Sequence, residues 1–80
     1  MYFVYILKSA KNGRYYTGCT KNLENRLSEH NSGETKGNRY YRPFELVYKE
    51  EYATLVEARK RERYIKSQKS SKFIEKLIGA

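Results

Sequence analysis

The chain has 80 residues, 39% of them apolar and 32% charged, with a formal net charge of +8. That allows one small domain with a modest core; it is too rich in apolar and aromatic residues for a disordered chain, and no apolar run nears the roughly 20 residues of a membrane span. The positive excess points to a polyanionic partner, nucleic acid first, with a merely well-solvated surface as the bland alternative. The single cysteine excludes an internal disulfide, and the N-terminus lacks the basic region and cleavage site of a signal peptide, so the expected compartment is the cytoplasm.

Residues 2–8 read as the first strand. Phe3, Tyr5 and Leu7 point to one face and Val4 and Ile6 to the other. A strand apolar on both faces is expected at the centre of a covered sheet. Asn12-Gly13 is a two-residue hairpin signal, which predicts a second strand over 14–19 with Lys11 opposite Arg14. Counting back puts Ser9 opposite Tyr16, Leu7 opposite Gly18 and Tyr5 opposite Thr20. Tyr5 and Tyr16 then share a face; a loop one residue longer would separate them. Gly18 falls inside this strand, where glycine marks a close approach, by a phosphate or a packed helix.

Asn22 is an N-cap and Glu24 suits the first turn of a helix over 22–31. Its apolar stripe is thin, with only Leu23 and Leu27. His30 falls between these two on the helical wheel and Arg26 lies beside them, so two polar residues occupy the inward side. Residues 32–43 read as a loop whose cations, Lys36, Arg39 and Arg42, suit phosphate contacts or plain solvation. Residues 44–52 form the third strand, with Phe44, Leu46 and Tyr48 on one face and Glu45, Val47 and Lys49 on the other, paired with the first strand. Thr54 and Glu57 make a capping box opening a helix over 54–68, and a last helix over 71–78 has Phe73, Ile74, Leu77 and Ile78 as its apolar face. The expected fold is α+β: a three-stranded antiparallel sheet flanked by about three helices, in one domain over 1–80.

The second helix carries an anomaly. Its inward stripe is Leu55, Ala58 and Ile65, and Glu62 lies inside that stripe among cations. A carboxylate is rarely buried without a partner, so Glu62 is either a metal ligand or one half of a structural salt bridge, with Arg26 the candidate partner. Residues 59–76 hold eight Lys or Arg and two Glu, which places most of the excess charge on the last two helices.

Val4-Tyr5-Ile6, Tyr16-Thr17-Gly18, Arg26, His30 and Glu62, in this order, resemble the GIY-YIG nuclease superfamily, and within it the small stand-alone prokaryotic members. Val4 and Thr17 stand where the family name has Gly and Ile, and Cys19 stands where some relatives carry lysine. The resemblance covers nearly the whole chain and implies the sheet-and-helix fold read above. It also implies hydrolysis of phosphodiester bonds in DNA with Mg²⁺ or Mn²⁺, in repair, recombination or mobile-element processing. Carried over, Tyr16 activates or orients water, Tyr5 supports it or binds phosphate, Arg26 stabilises charge on the phosphate, His30 is an alternative general base, and Glu62 holds the metal. Lys8, Thr17, Gly18, Lys36, Arg39, Arg42, Arg63 and Lys66 are the residues expected to touch nucleic acid, with DNA preferred over RNA.

The chemistry asks for these types. A phosphodiester is anionic, so attack on it needs a cation and a Lewis acid. A phenol of pKa about 10 is a poor base until nearby cations lower it. Each residue also has a bland account: Tyr5 and Tyr16 as cross-sheet packing partners, Arg26 and Glu62 as an ion pair, His30 as a helix-end cation. The competing function is a nucleic-acid-binding module with weak or no catalysis. No membrane partner is expected, a targeting protein fits the absence of a second domain, and the expected assembly is a monomer or weak dimer.

Overall fold

A strand with two apolar faces cannot sit at a sheet edge without exposing one of them. In the computed structural model of the protein, which describes residues 1–33 and 39–79, strand β1 (Tyr2–Ser9) is indeed central. The antiparallel sheet has the order β2-β1-β3, with β2 spanning Tyr15–Thr20 and β3 Phe44–Tyr52. Val4, Ile6 and Leu7 are fully buried and Tyr5 is nearly so. On one face Val4 and Ile6 pack with Ala58 and Ile65 of helix α2 (Leu55–Ser67), joined by Phe73, Ile74 and Leu77 of helix α3 (Ser71–Ile78). On the other face Tyr5 and Leu7 pack with Phe44 and with Leu23 and Leu27 of helix α1 (Leu23–Ser32).

The helix ends follow the capping chemistry. Asn22, Thr54 and Ser70 each accept a backbone N–H of the first turn, and Gly33 and Gly79 close α1 and α3 in the left-handed conformation. One inward residue is corrected: Leu55 is 39% exposed, because it occupies the first position of α2, before the helix reaches the sheet.

The hairpin differs from the two-residue turn expected at Asn12-Gly13. Ser9 N–H donates to Arg14 O at 2.9 Å and Gly13 N–H to Ser9 O at 2.9 Å, so the loop holds four residues, 10–13. Tyr5 lies opposite Gly18, and Leu7 opposite Tyr16. The cause is Ser9, whose hydroxyl oxygen accepts the N–H groups of Lys11 (3.1 Å) and Asn12 (3.2 Å) and ends the ladder early. The register has moved by two, an even number, so Tyr5 and Tyr16 still share a face.

Strand β3 also departs from strict alternation. Its register against β1 shifts between Ile6 and Leu7: Ile6 faces Tyr48 while Leu7 faces Leu46. The bulge at Val47 sends Phe44 and Leu46 to the α1 face and Val47 and Tyr48 to the α2 face. The 32–43 connection is not plain loop either. It contains a 3₁₀ turn at Arg39–Tyr41 and a cis Arg42–Pro43 bond. Asn31 ties α1 to β3, its amide donating to Phe44 O at 3.2 Å and accepting Phe44 N–H at 2.6 Å.

Glu50, on β3 facing α2, accepts from Arg61 Nε at 3.0 Å, from the Tyr52 hydroxyl at 2.6 Å and from the Tyr48 hydroxyl. Burial pushes this carboxyl up, but the hydrogen bonds from Arg61, Tyr48 and Tyr52 outweigh it and hold it below its usual value. The same hydrogen bond, with burial, pushes Tyr52 up to about 12. A depressed folded pKa gives stability that is present above the unfolded value of about 4.3 and is lost as pH falls through the folded one. Glu50→Gln is therefore expected to cost about 1–3 kcal/mol at neutral pH, below the figure for a fully buried pair because the cluster is part-exposed. The cost should shrink between neutral pH and a pH below the depressed folded value, where wild type is itself protonated. Urea unfolding of both proteins at the two pH values checks this; an equal difference at both would show that Glu50 acts through packing alone.

Candidate active site

The site is built around the exposed edge of β2. A cleft of about 970 Å³ wraps this edge and is lined from both faces of the sheet: by Tyr5, Tyr16, Arg26 and His30 on the α1 side, and by Cys19, Arg59, Glu62 and Lys66 on the α2 side. An edge strand is the one place where residues on opposite faces of a sheet can reach common space.

Tyr5 is 3% exposed. Its hydroxyl accepts Arg26 Nε–H at 3.3 Å and lies 3.3 Å from His30 Nε2, with the direction of that second hydrogen bond set by the imidazole tautomer. Gly18 lies directly opposite. A methyl group there would sit 2.5 Å from Tyr5 Cζ and 2.9 Å from Cε2, so the absent side chain is what admits the phenol. The close approach that glycine signals here is made by Tyr5, rather than by a helix.

Arg26 divides its guanidinium between Tyr5 and Glu29, whose carboxylate is 3.2 Å from Nη1. The hydrogen bond to Tyr5, and then the charge of Glu29, raise its pKa despite partial burial, so it stays cationic. His30 is 5% exposed, with its ring edge-on to Tyr5 and to Phe44 at centroid distances of 6.2 and 5.6 Å. Tyr16 packs edge-on against the same Phe44 at 5.3 Å and stacks on Tyr41 at 6.3 Å. Phe44 thus separates the Tyr16 and His30 rings, and Asn31 fixes its backbone. The Tyr16 hydroxyl makes no hydrogen bond among the described residues, and the residue lines the cleft.

Glu62 does not pair with Arg26. Its Oε2 accepts from Lys66 Nζ at 2.9 Å, one helical turn on, and its side chain is 19% exposed against 56% for the lysine. An i,i+4 partner is always within reach on a helix, whereas Arg26 is already held across the sheet by Tyr5 and Glu29. Oε1 makes no hydrogen bond among the described residues. Burial first, then Glu62, raises the Cys19 thiol, against a smaller opposing pull from Arg59. Cys19 therefore stays protonated at neutral pH and is a poor nucleophile.

Among the described residues no group of three or more His, Cys, Asp or Glu could form a metal cage. A single hard carboxylate with one uncommitted oxygen fits Mg²⁺ or Mn²⁺, which keep most of their waters, and does not fit structural zinc. Of the residues expected on nucleic acid, Lys8, Thr17, Gly18 and Lys66 line the cleft, while Arg42 and Arg63 are exposed outside it. Lys36 lies outside the described residues, and of Arg39 only the backbone in the 3₁₀ turn is described. Arg14, Arg59 and Lys69 also line the cleft and escaped the sequence reading. Arg59 was within reach of it, one turn before Glu62 on the same helix face.

Residues 1–76 match the family of the GIY-YIG catalytic domain. The UPF0213 protein SSP2268 of Staphylococcus saprophyticus is 43% identical over 77 residues, 91% of this chain and 93% of its own length. UPF0213 protein SERP0126 of Staphylococcus epidermidis is 46% identical over 67 residues, 82% of this chain and 80% of its own. The solution NMR structure of UPF0213 protein BH0048 from Bacillus halodurans is similar with a TM-score of 0.63 at 34% identity, over 99% of this chain and 84% of that one.

Proposed function

The chain belongs to the GIY-YIG family, and from that premise we propose that it is a divalent-metal-dependent endonuclease that hydrolyses phosphodiester bonds in DNA. The observation that carries the reading is the Tyr5 hydroxyl held between Arg26 and His30 in a cleft that also contains Glu62. Arg26 commits Nε to Tyr5 and Nη1 to Glu29, which leaves Nη2 to take an oxygen of the scissile phosphate. Its charge offsets the charge that grows there as water attacks. Tyr16 orients that water with its hydroxyl, and the water's proton leaves to solvent in the cleft or to His30, the alternative base. Tyr5 is a positioning residue, since its hydroxyl is used up on Arg26 and His30. Glu62 would hold the hydrated ion, which supplies Lewis-acid stabilisation of the phosphate and the leaving 3′ oxygen. A free thiol facing the cleft suits a reducing compartment such as the cytoplasm. Among the described residues no helix is long and apolar enough to cross a membrane.

One observation favours a second reading, a basic binding module without chemistry: Lys66 occupies an oxygen of the carboxylate that a metal needs. Labelled duplex, single-stranded and branched DNA, each incubated with Mg²⁺, Mn²⁺ or EDTA, separates the two. Cleavage that needs the ion is the expected result. Salt-sensitive binding with no cleavage of any form would sink the nuclease and leave the module.

A further inference from the structure

The cleft continues onto an aromatic surface that the proposed chemistry does not use. Tyr16, inside the cleft, stacks on Tyr41 with ring planes 24° apart. Tyr41 is 40% exposed and Tyr40, next to it, 68%. Adjacent tyrosines this open, continuous with a candidate site, mark a surface meant to be covered.

The surface is rigidly held. Ser9, 1% exposed, donates its hydroxyl hydrogen to the Tyr41 carbonyl while accepting from the N–H groups of Lys11 and Asn12. Ala10 N–H donates to Pro43 O at 2.9 Å. The 3₁₀ turn carrying both tyrosines is thereby fastened to the β1–β2 turn. Its charge is positive: Arg42 follows Tyr41 directly, and Arg14, two residues before Tyr16, and Lys8, over the Tyr15 ring, line the same cleft.

A flat ring next to cations matches one kind of occupant. In duplex DNA both faces of every base are taken by its stacking neighbours, so an outside phenol has no face to stack on. An unpaired base offers its π-face whatever its identity, while the cations take the flanking phosphates. We propose that Tyr41, stacked on Tyr16, is a platform for an unpaired base, which makes the substrate single-stranded or locally unpaired DNA. The proposal deepens the nuclease reading of this site and rests on it for the cleavage step, though not for binding.

The test is therefore binding in EDTA, followed by fluorescence anisotropy with a labelled single strand and its matching duplex at one salt concentration. Wild type is expected to prefer the single strand. Tyr41→Leu, which keeps bulk and loses the ring, should weaken single-strand binding about tenfold and duplex binding less than twofold. Tyr41→Phe should bind as wild type does. Equal losses on both forms, no loss on either, or a duplex preference in wild type would overturn the platform. If Tyr41→Leu does not fold, photo-crosslinking of wild type to a strand carrying 5-iodouracil decides. Adducts at Tyr41 or Tyr40 support the proposal, and adducts only elsewhere overturn it. Single-strand binding of this pattern without cleavage in any ion would remove the nuclease reading alone. Duplex cleavage untouched by Tyr41→Leu would remove the platform alone.

Discussion

Glu62→Ala is expected to lower cleavage by on the order of 10³-fold while leaving DNA binding intact or slightly stronger. Among the described residues the cleft contains two carboxylates, Glu62 and Glu75, set among six Lys or Arg side chains. In that field, a carboxylate kept for packing alone would be better replaced by an apolar residue, and one kept to solubilise would point outward. Glu62 does neither: it is largely covered and has one oxygen open. Under the proposed function, removing it would delete the site for the ion and free the Lys66 ammonium, adding positive charge where the DNA backbone is expected. Loss of cleavage with retained binding is the signature of that pair of effects. Lys66→Ala, run beside it, should tighten Mn²⁺ binding, because the cation that competes for Oε2 is gone. Glu62→Ala with activity within tenfold of wild type would place the metal ligand elsewhere.

Gly18→Ala should cost about 1–3 kcal/mol of stability and on the order of 10²-fold in turnover. Replacing a strand glycine by alanine ordinarily gains about 0.5–1 kcal/mol, so a net loss isolates the clash. The new methyl meets the end of the Tyr5 ring, 2.5 Å from Cζ. Tyr5 is buried between strand and helix and has nowhere to swing. Relief therefore comes by moving the phenol, which breaks its hydrogen bonds to Arg26 and His30 together. A double-mutant cycle makes the cause explicit: in a Tyr5→Leu background, which lacks the hydroxyl and the far end of the ring, the same Gly18→Ala change should cost little. Urea unfolding and turnover measured on the four proteins check both parts. Full-cost additivity would mean that Gly18 matters for the backbone of β2 and has no bearing on where Tyr5 stands.

The sequence alone decided whatever depends on period and on local chemistry. The doubly apolar β1 had to be central, because no other position covers both faces. Asn22, Thr54 and Ser70 had to begin helices and Gly33 and Gly79 to end two of them, since each cap is satisfied within its own few residues. Tyr5, Tyr16, Arg26, His30 and Glu62 were grouped by their resemblance to the family's motif and all five line one cleft, and Tyr5 and Tyr16 stayed on one face because face depends only on whether a register shift is odd or even. Tertiary contacts decided what depends on partners distant in the chain. The hairpin opened to four residues once Ser9 bonded both its own turn and the Tyr41 carbonyl. The bulge at Val47 split β3 between two cores, which no alternation rule foresees. Glu50, with Tyr48 and Tyr52 beside it on β3, found Arg61 on α2, and Arg26 went to Tyr5 and left Glu62 to Lys66. A polar side chain takes the partner that the fold brings within about 3 Å, and sequence separation carries no record of that distance.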